Sequence, residues 1–285
     1  MKKTILLVLG GLVLLAGITA VALPTILHKA GLHPAYTGPK LVVQEGLRAL
    51  IITTSHSVLS APDAEEGPPT GVMASEFTHP YYSFLDAGIE VHLASIQGGE
   101  IPIDPQTLRY MVRSPEDERF LQDSVLLAKV ANSVAIDDVD FTKYDVVFLA
   151  GGWGAAYDLG QSEVLADKIS QAYYSEQQPL IGGVCHGVLG LINATDRDGD
   201  LLIAGRKMTG VTDKQVQELG IDITPLHPET ELRKAGALFE SQTGFRDFFA
   251  THVAVDDEQR FVTGQNQNSG LETAYEMMEI LAQRQ

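Results

Sequence analysis

The chain has 285 residues, a formal net charge of −17, 45% hydrophobic residues and one cysteine. That length is ample for a buried core, and the composition excludes disordered, collagen-like and disulfide-framework chains. The acidic balance argues against a nucleic-acid partner, because a phosphate-binding face needs concentrated Lys and Arg.

The charge is uneven. Residues 1–40 hold Lys2, Lys3, Lys29 and Lys40 and no acid, so the remainder carries −21. After Lys3, the 20 residues Thr4 to Leu23 are apolar and uncharged. As a helix they would span roughly 30 Å, the thickness of a bilayer's hydrocarbon core. Residues 1–27 therefore read as a single-pass anchor with the body outside the cytoplasm. The alternative is a signal cleaved near Ala20-Val21-Ala22, which leaves a secreted or periplasmic body. Residues 28–46, with Gly31, Pro34 and Gly38, read as a linker, and residues 47–285 as one domain.

Within the domain, Ala49–Thr54 is rich in β-branched residues and predicts a buried strand. Glu76–Ala87 predicts a helix ending at Gly88. Glu90–Ser95 alternates as a strand, and Asp117–Asn132 has helical spacing. Asp145–Ala150 predicts a second buried strand meeting Gly151-Gly152. Ser162–Glu176 predicts a helix. Pro179–Val184 predicts a third buried strand running into Cys185. His252–Val255 and Phe261–Thr263 predict a late strand pair, and Leu271–Ala282 a closing helix. This alternation implies an α/β sandwich, flavodoxin-like, with a mainly parallel central sheet covered on both faces.

Gly183-Val184-Cys185-His186-Gly187 lies between a strand and a predicted helix. Small residues around a nucleophile allow the sharp turn of an elbow. A helix N-terminus there would lower the cysteine pKa, and the His186 N–H would face a developing oxyanion. The competing reading is a buried structural cysteine. Gly151 and Gly152 end the neighbouring strand, and Gly152 is the candidate for a second oxyanion N–H.

These residues resemble the ThiJ/PfpI superfamily, part of the class I glutamine amidotransferase-like fold, and its heat-shock chaperone and glyoxalase III branch in particular. The resemblance covers Leu47 to Leu281. It is carried by the Cys185-His186 elbow and by Thr70–Gly88, Ala94–Pro105, Ala150–Asp158 and Thr263-Gly264-Gln265-Asn266. It implies a catalytic set of Cys185, His186 and Glu76, a small aldehyde substrate, no cofactor, and compatibility with a homodimer. A buried carboxyl beside a thiol suits proton transfer near neutral pH. Trp153 stands where the branch usually has His. Gln215 and Val216 stand near its histidine-orienting acid, for which Asp213 is either a substitute or a helix cap. Gln267-Asn268-Ser269 replaces its Pro-x-Ser. His79, before Pro80, either lines the site or packs. His227-Pro228-Glu229 superficially resembles a glutaminase element, but it stands only 42 residues past Cys185. His56, His92 and His252 lack the paired spacing of a zinc site.

Overall fold

The computed structural model describes residues 2–39, 41–62 and 64–284, with the side chains of residues 2–9, 12, 13, 15 and 16 outside that description. In chain order the elements are α1 (Lys2–Lys29), β1 (Arg48–Thr53), α2 (Ala74–Asp86), β2 (Glu90–Ser95), α3 (Pro115–Phe120), α4 (Ser124–Ala131) and β3 (Val134–Ala135). There follow β4 (Val146–Leu149), α5 (Ala155–Asp158), α6 (Glu163–Tyr173), β5 (Leu180–Val184), β6 (Lys207–Met208), α7 (Asp213–Leu219) and α8 (Pro228–Lys234). The chain closes with β7 (Leu238–Phe239), β8 (Val253–Val255), β9 (Phe261–Gly264) and α9 (Gly270–Gln283).

Seven strands form the central sheet in the order β3-β2-β1-β4-β5-β9-β8. Every pairing is parallel except β8 with β9. Parallel strands must be covered on both faces, and β1 shows how its sequence achieves this. Ala49 and Ile51 point into the core under α2 and α9, while Leu50 and Ile52 point into the opposite core with α6. The strand order reverses between β1 and β4, where α/β folds open a crevice at the strands' C-terminal ends.

Two predicted elements are corrected. Asp117–Asn132 is two helices rather than one. Asp123 breaks the run and caps α4, its Oδ1 accepting from the N–H groups of Val125 and Leu126. The segment after β5 is a 3₁₀ helix, Cys185–Leu191, rather than an α-helix. A 3₁₀ turn is tighter, and Gly187 and Gly190 bring this one close to the Leu149 and Leu165 side of the sheet.

The predicted anchor falls within α1, which is continuous from Lys2 to Lys29. Among the described residues no helix is long and apolar enough to cross a membrane, so the structure lends the anchor no support. Much of the Thr4–Leu23 run has side chains outside the described set. The linker that follows is docked on the domain. The backbone N–H of His33 donates to Asn268 Oδ1 at 2.8 Å, and Asn268 Nδ2 donates to the Gly31 carbonyl. His33 Nε2 bonds the Val112 carbonyl at 2.8 Å, and Tyr36 stacks on Tyr275.

Candidate functional site

Cys185 follows β5 directly with φ +57°, a left-handed conformation that side chains other than glycine and asparagine rarely adopt. The turn is tightly packed on both sides. A Cβ on Gly183 or Gly187 would overlap the Leu149 carbonyl, so only glycine fits on either side of the turn. The thiol is thereby lifted off the sheet to the floor of a pocket, where it is 6% exposed.

Glu76 reaches the same point from the first turn of α2 and is fully buried. Its polar neighbours are the Cys185 thiol and the backbone N–H groups of Gly151 and Gly152. Among the described residues neither carboxyl oxygen has a partner at ordinary hydrogen-bond geometry. A buried carboxyl so thinly solvated resists ionisation, and burial pushes the Glu76 pKa up to about 8. Gly151 makes the approach possible, since a Cβ there would overlap Glu76 Oε2. Gly152, at φ +100°, lies so near Met73 N and the Gly71 carbonyl that no side chain fits.

The expected depression of the thiol pKa is overturned. Burial and the adjoining Glu76 carboxyl push Cys185 well above the usual thiol range, against a weaker lowering by the His186 and Gly152 amides. The short 3₁₀ turn does not offset desolvation. Glu76 and Cys185 are coupled, and with Glu76 protonated the repulsion on a thiolate disappears while its O–H can donate to sulfur.

His186 is buried, its Nδ1 3.4 Å from Cys185 Sγ. Burial, with His227 as a second cause, lowers its pKa to about 3, so the ring is neutral at physiological pH. Among the described residues its Nε2 has no partner, and the buried Nε2 of His227 has none either. Among the described residues no carboxylate bonds this imidazole. Trp153 packs against it edge-on, with ring centroids 4.9 Å apart.

The structure thus brings Cys185, His186, Glu76, Gly152 and Trp153 together. It separates Asp213 and His79 from them. Thr212, not Asp213, caps α7, through Thr212 Oγ1 and the Gln215 N–H. Asp213 accepts from Thr230 and its own N–H donates to Glu229. His79 lies one turn beyond Glu76 but faces Glu116 at 3.5 Å and the His33 ring at 5.3 Å. Gln215 does enter the pocket, held by Asn266 and Gln267. The Thr263–Asn266 signature works as a clamp. Asn266 Nδ2 donates to the carbonyls of Asp247 and Ala250, and Gln265 pairs with the backbone of Gln242, which fixes the 242–250 loop beside the pocket.

The pocket above Cys185 has a volume of about 340 Å³. Sequence reasoning missed most of its wall: Arg109, Met111 and Val112 from the loop before α3, Leu219 at the end of α7, Ile221 just beyond it, and Phe248. These segments carry no periodic signal. Among the described residues no group of three or more His, Cys, Asp or Glu is arranged to hold a metal. His92 bonds Tyr144 and Glu90, and His56 stacks on Tyr157.

A strained cysteine at the end of a parallel strand, backed by a buried glutamic acid from the first domain helix, defines a class. The chain belongs to the DJ-1/PfpI family, whose model matches residues 69–280. It is 27% identical over 243 residues to Glyoxalase 3 of Candida albicans, covering 81% of this chain and 97% of that protein. It is likewise 27% identical over 242 residues to the glutathione-independent glyoxalase HSP31 of Saccharomyces cerevisiae, covering 82% and 98%. Among solved structures, Rapid Encystment Protein 24 KDa (REP24) of Francisella tularensis superposes with a TM-score of 0.74 at 32% identity, over 82% of this chain and 99% of that one. Glyoxalase III of Candida albicans superposes at 0.71 and 26% identity, over 82% and 96%.

Proposed function

We propose that this protein is a glutathione-independent, cysteine-dependent enzyme that converts a 2-oxoaldehyde and water to a 2-hydroxy acid. The observation that carries the reading is the buried Glu76 carboxyl against the Cys185 thiol at the floor of a pocket. The glyoxalase relatives support the same reaction class.

In this scheme the thiol adds across the aldehyde C=O. A C–S bond forms and the thiol proton ends on oxygen, giving a hemithioacetal. The proton on the former aldehyde carbon moves to the adjacent carbonyl carbon through an enediol, while the hemithioacetal hydroxyl proton passes to the adjacent oxygen, leaving a thioester of the 2-hydroxy acid. Glu76 carries that proton, its raised pKa placing acid and base forms within reach of each other near neutral pH. The Gly152 and His186 amides stabilise charge on the oxygen. Water then cleaves the thioester, releases the hydroxy acid and restores the thiol. Neither an oxidant nor glutathione enters the balance. Neutral His186, adjoining the sulfur through Nδ1, positions the thiol rather than deprotonating it. The test is lactate formation from methylglyoxal without glutathione, wild type beside Cys185→Ala and Glu76→Gln. Equal rates in all three would overturn the mechanism.

A second, non-catalytic reading is a stress chaperone or thiol oxidation sensor built on Cys185. The unpartnered His186 Nε2 and Trp153 in place of His favour it, while the burial and raised pKa of the thiol oppose ready oxidation. Intact-mass analysis after mild peroxide reads it directly. Two added oxygens on wild type and none on Cys185→Ser support the sensor, and no addition on wild type removes it. Attachment to a membrane rests on the Thr4–Leu23 sequence alone, and fractionation of the full chain tests it.

A further inference from the structure

The pocket above Cys185 is large and greasy for the smallest oxoaldehydes. A five-atom molecule such as methylglyoxal occupies on the order of 100 Å³, against about 340 Å³ available. Met111, Val112, Trp153, Leu219, Ile221 and Phe248 wall the remaining space. Bound methylglyoxal would leave that wall facing water, and a ligand covering it would gain from its burial.

One charge stands at this pocket without a partner. Arg109 lines it and is exposed, and among the described residues its guanidinium makes no hydrogen bond or ion pair. The other charged side chains there are accounted for. Asp104 is buried, its oxygens accepting from Thr70 Oγ1 and the Gln106 N–H. Burial disfavours charge on Glu76. A free guanidinium beside a low-dielectric wall, in a chain of net charge −17, is a local site for an anion.

We propose that the site takes an amphiphilic anion: an oxoaldehyde whose dicarbonyl meets Cys185, whose apolar body covers the Trp153–Phe248 wall, and whose carboxylate or other anionic end meets Arg109. This rests on the reaction proposed above for the chemistry, but not for the binding. Trp153 and Arg109 set specificity here, the one by apolar contact and the other by charge.

Trp153 is the only tryptophan in the chain, so its fluorescence reports occupancy without any turnover. The full chain is titrated with butyrate, 4-phenylbutyrate and 4-phenylbutanol, and Arg109→Gln with the last two. Wild type should bind 4-phenylbutyrate at least about tenfold more tightly than butyrate and severalfold more tightly than the alcohol. Arg109→Gln should erase the gap between acid and alcohol. Equal binding of butyrate and 4-phenylbutyrate overturns the apolar part, and equal binding of acid and alcohol to wild type overturns the anionic part. In turnover, kcat/KM should rise from methylglyoxal to phenylglyoxal to 4-carboxyphenylglyoxal, by about tenfold over the series. Binding in the expected order without turnover of any oxoaldehyde would sink the reaction and leave the ligand class standing. Turnover with methylglyoxal preferred would do the reverse.

Discussion

Glu76 and Gly151 share one space: a methyl group on Gly151 would overlap the Oε2 atom of Glu76 and crowd the Val184 carbonyl and the Gly187 N–H. The acid can stand beside Cys185 only because the residue ending the β4 turn has no side chain. Gly151→Ala should therefore displace Glu76, cut turnover at least about tenfold and destabilise the fold by about 1–3 kcal/mol, the usual cost of overpacking. Paired kinetics and thermal melts check this. Wild-type turnover and melting in Gly151→Ala would show that the carboxyl is not confined there.

The buried Glu76 carboxyl costs stability when it ionises. Its folded pKa of about 8 exceeds the ordinary carboxylate value, so the folded state binds more protons than the unfolded one between about pH 4.5 and 8. Stability is fully expressed below that window and falls as pH rises through it. Glu76→Gln, neutral at every pH, should melt higher than wild type at pH 8, by roughly a few kcal/mol equivalent, and like wild type near pH 4. The same variant should lose at least about a hundredfold in turnover. Melts across pH 4–9 give the first result, and steady-state rates the second.

Cys185 sits at φ +57°. Alanine keeps that strain and glycine relieves it. Cys185→Gly should be more stable than Cys185→Ala by about 1 kcal/mol, while both abolish thiol-dependent turnover. Denaturant midpoints of the two inactive variants measure the strain free of activity. Equal midpoints would mean the elbow is relaxed.

The docked linker titrates in the opposite sense. Burial lowers His33 to about 4 and places His79 well below the ordinary histidine value. Folded histidines with depressed pKa values take up fewer protons than unfolded ones, so their contribution is present above pH 6.5 and is lost as pH falls toward 4. Limited proteolysis should cut the linker near Lys29 faster at pH 5 than at pH 7. His79→Leu, which carries no proton, should flatten that difference. Cleavage at one rate across this range would show that the histidines do not govern docking.

The sheet and the elbow were legible in the sequence for the same reason. Leu50, Ile52, Val147 and Ile181 lie in short apolar runs, and Gly183 and Gly187 mark the turn around Cys185. Local pattern carried no trace of the pocket wall, because Arg109 from a loop, Leu219 from the end of α7 and Phe248 from a short 3₁₀ turn meet only through tertiary folding. The contact of His33 with His79 was hidden likewise, joining a linker to a helix 46 residues away. A turn followed by glycines and apolar residues carries the pattern of an α-helix N-terminus, which would lower the thiol pKa. The chain forms a 3₁₀ turn there, and burial outweighs its few N–H groups.

The proposed reaction rests on the Cys185 thiol, backed by Glu76. The direct measurement is glutathione-free conversion of methylglyoxal to lactate by the full chain, wild type against Cys185→Ala at pH 7, with folding of both verified by melting. Lactate from wild type and none above the uncatalysed rate from Cys185→Ala is the expected result. Lactate formed equally by the two proteins, or by neither, would contradict the claim.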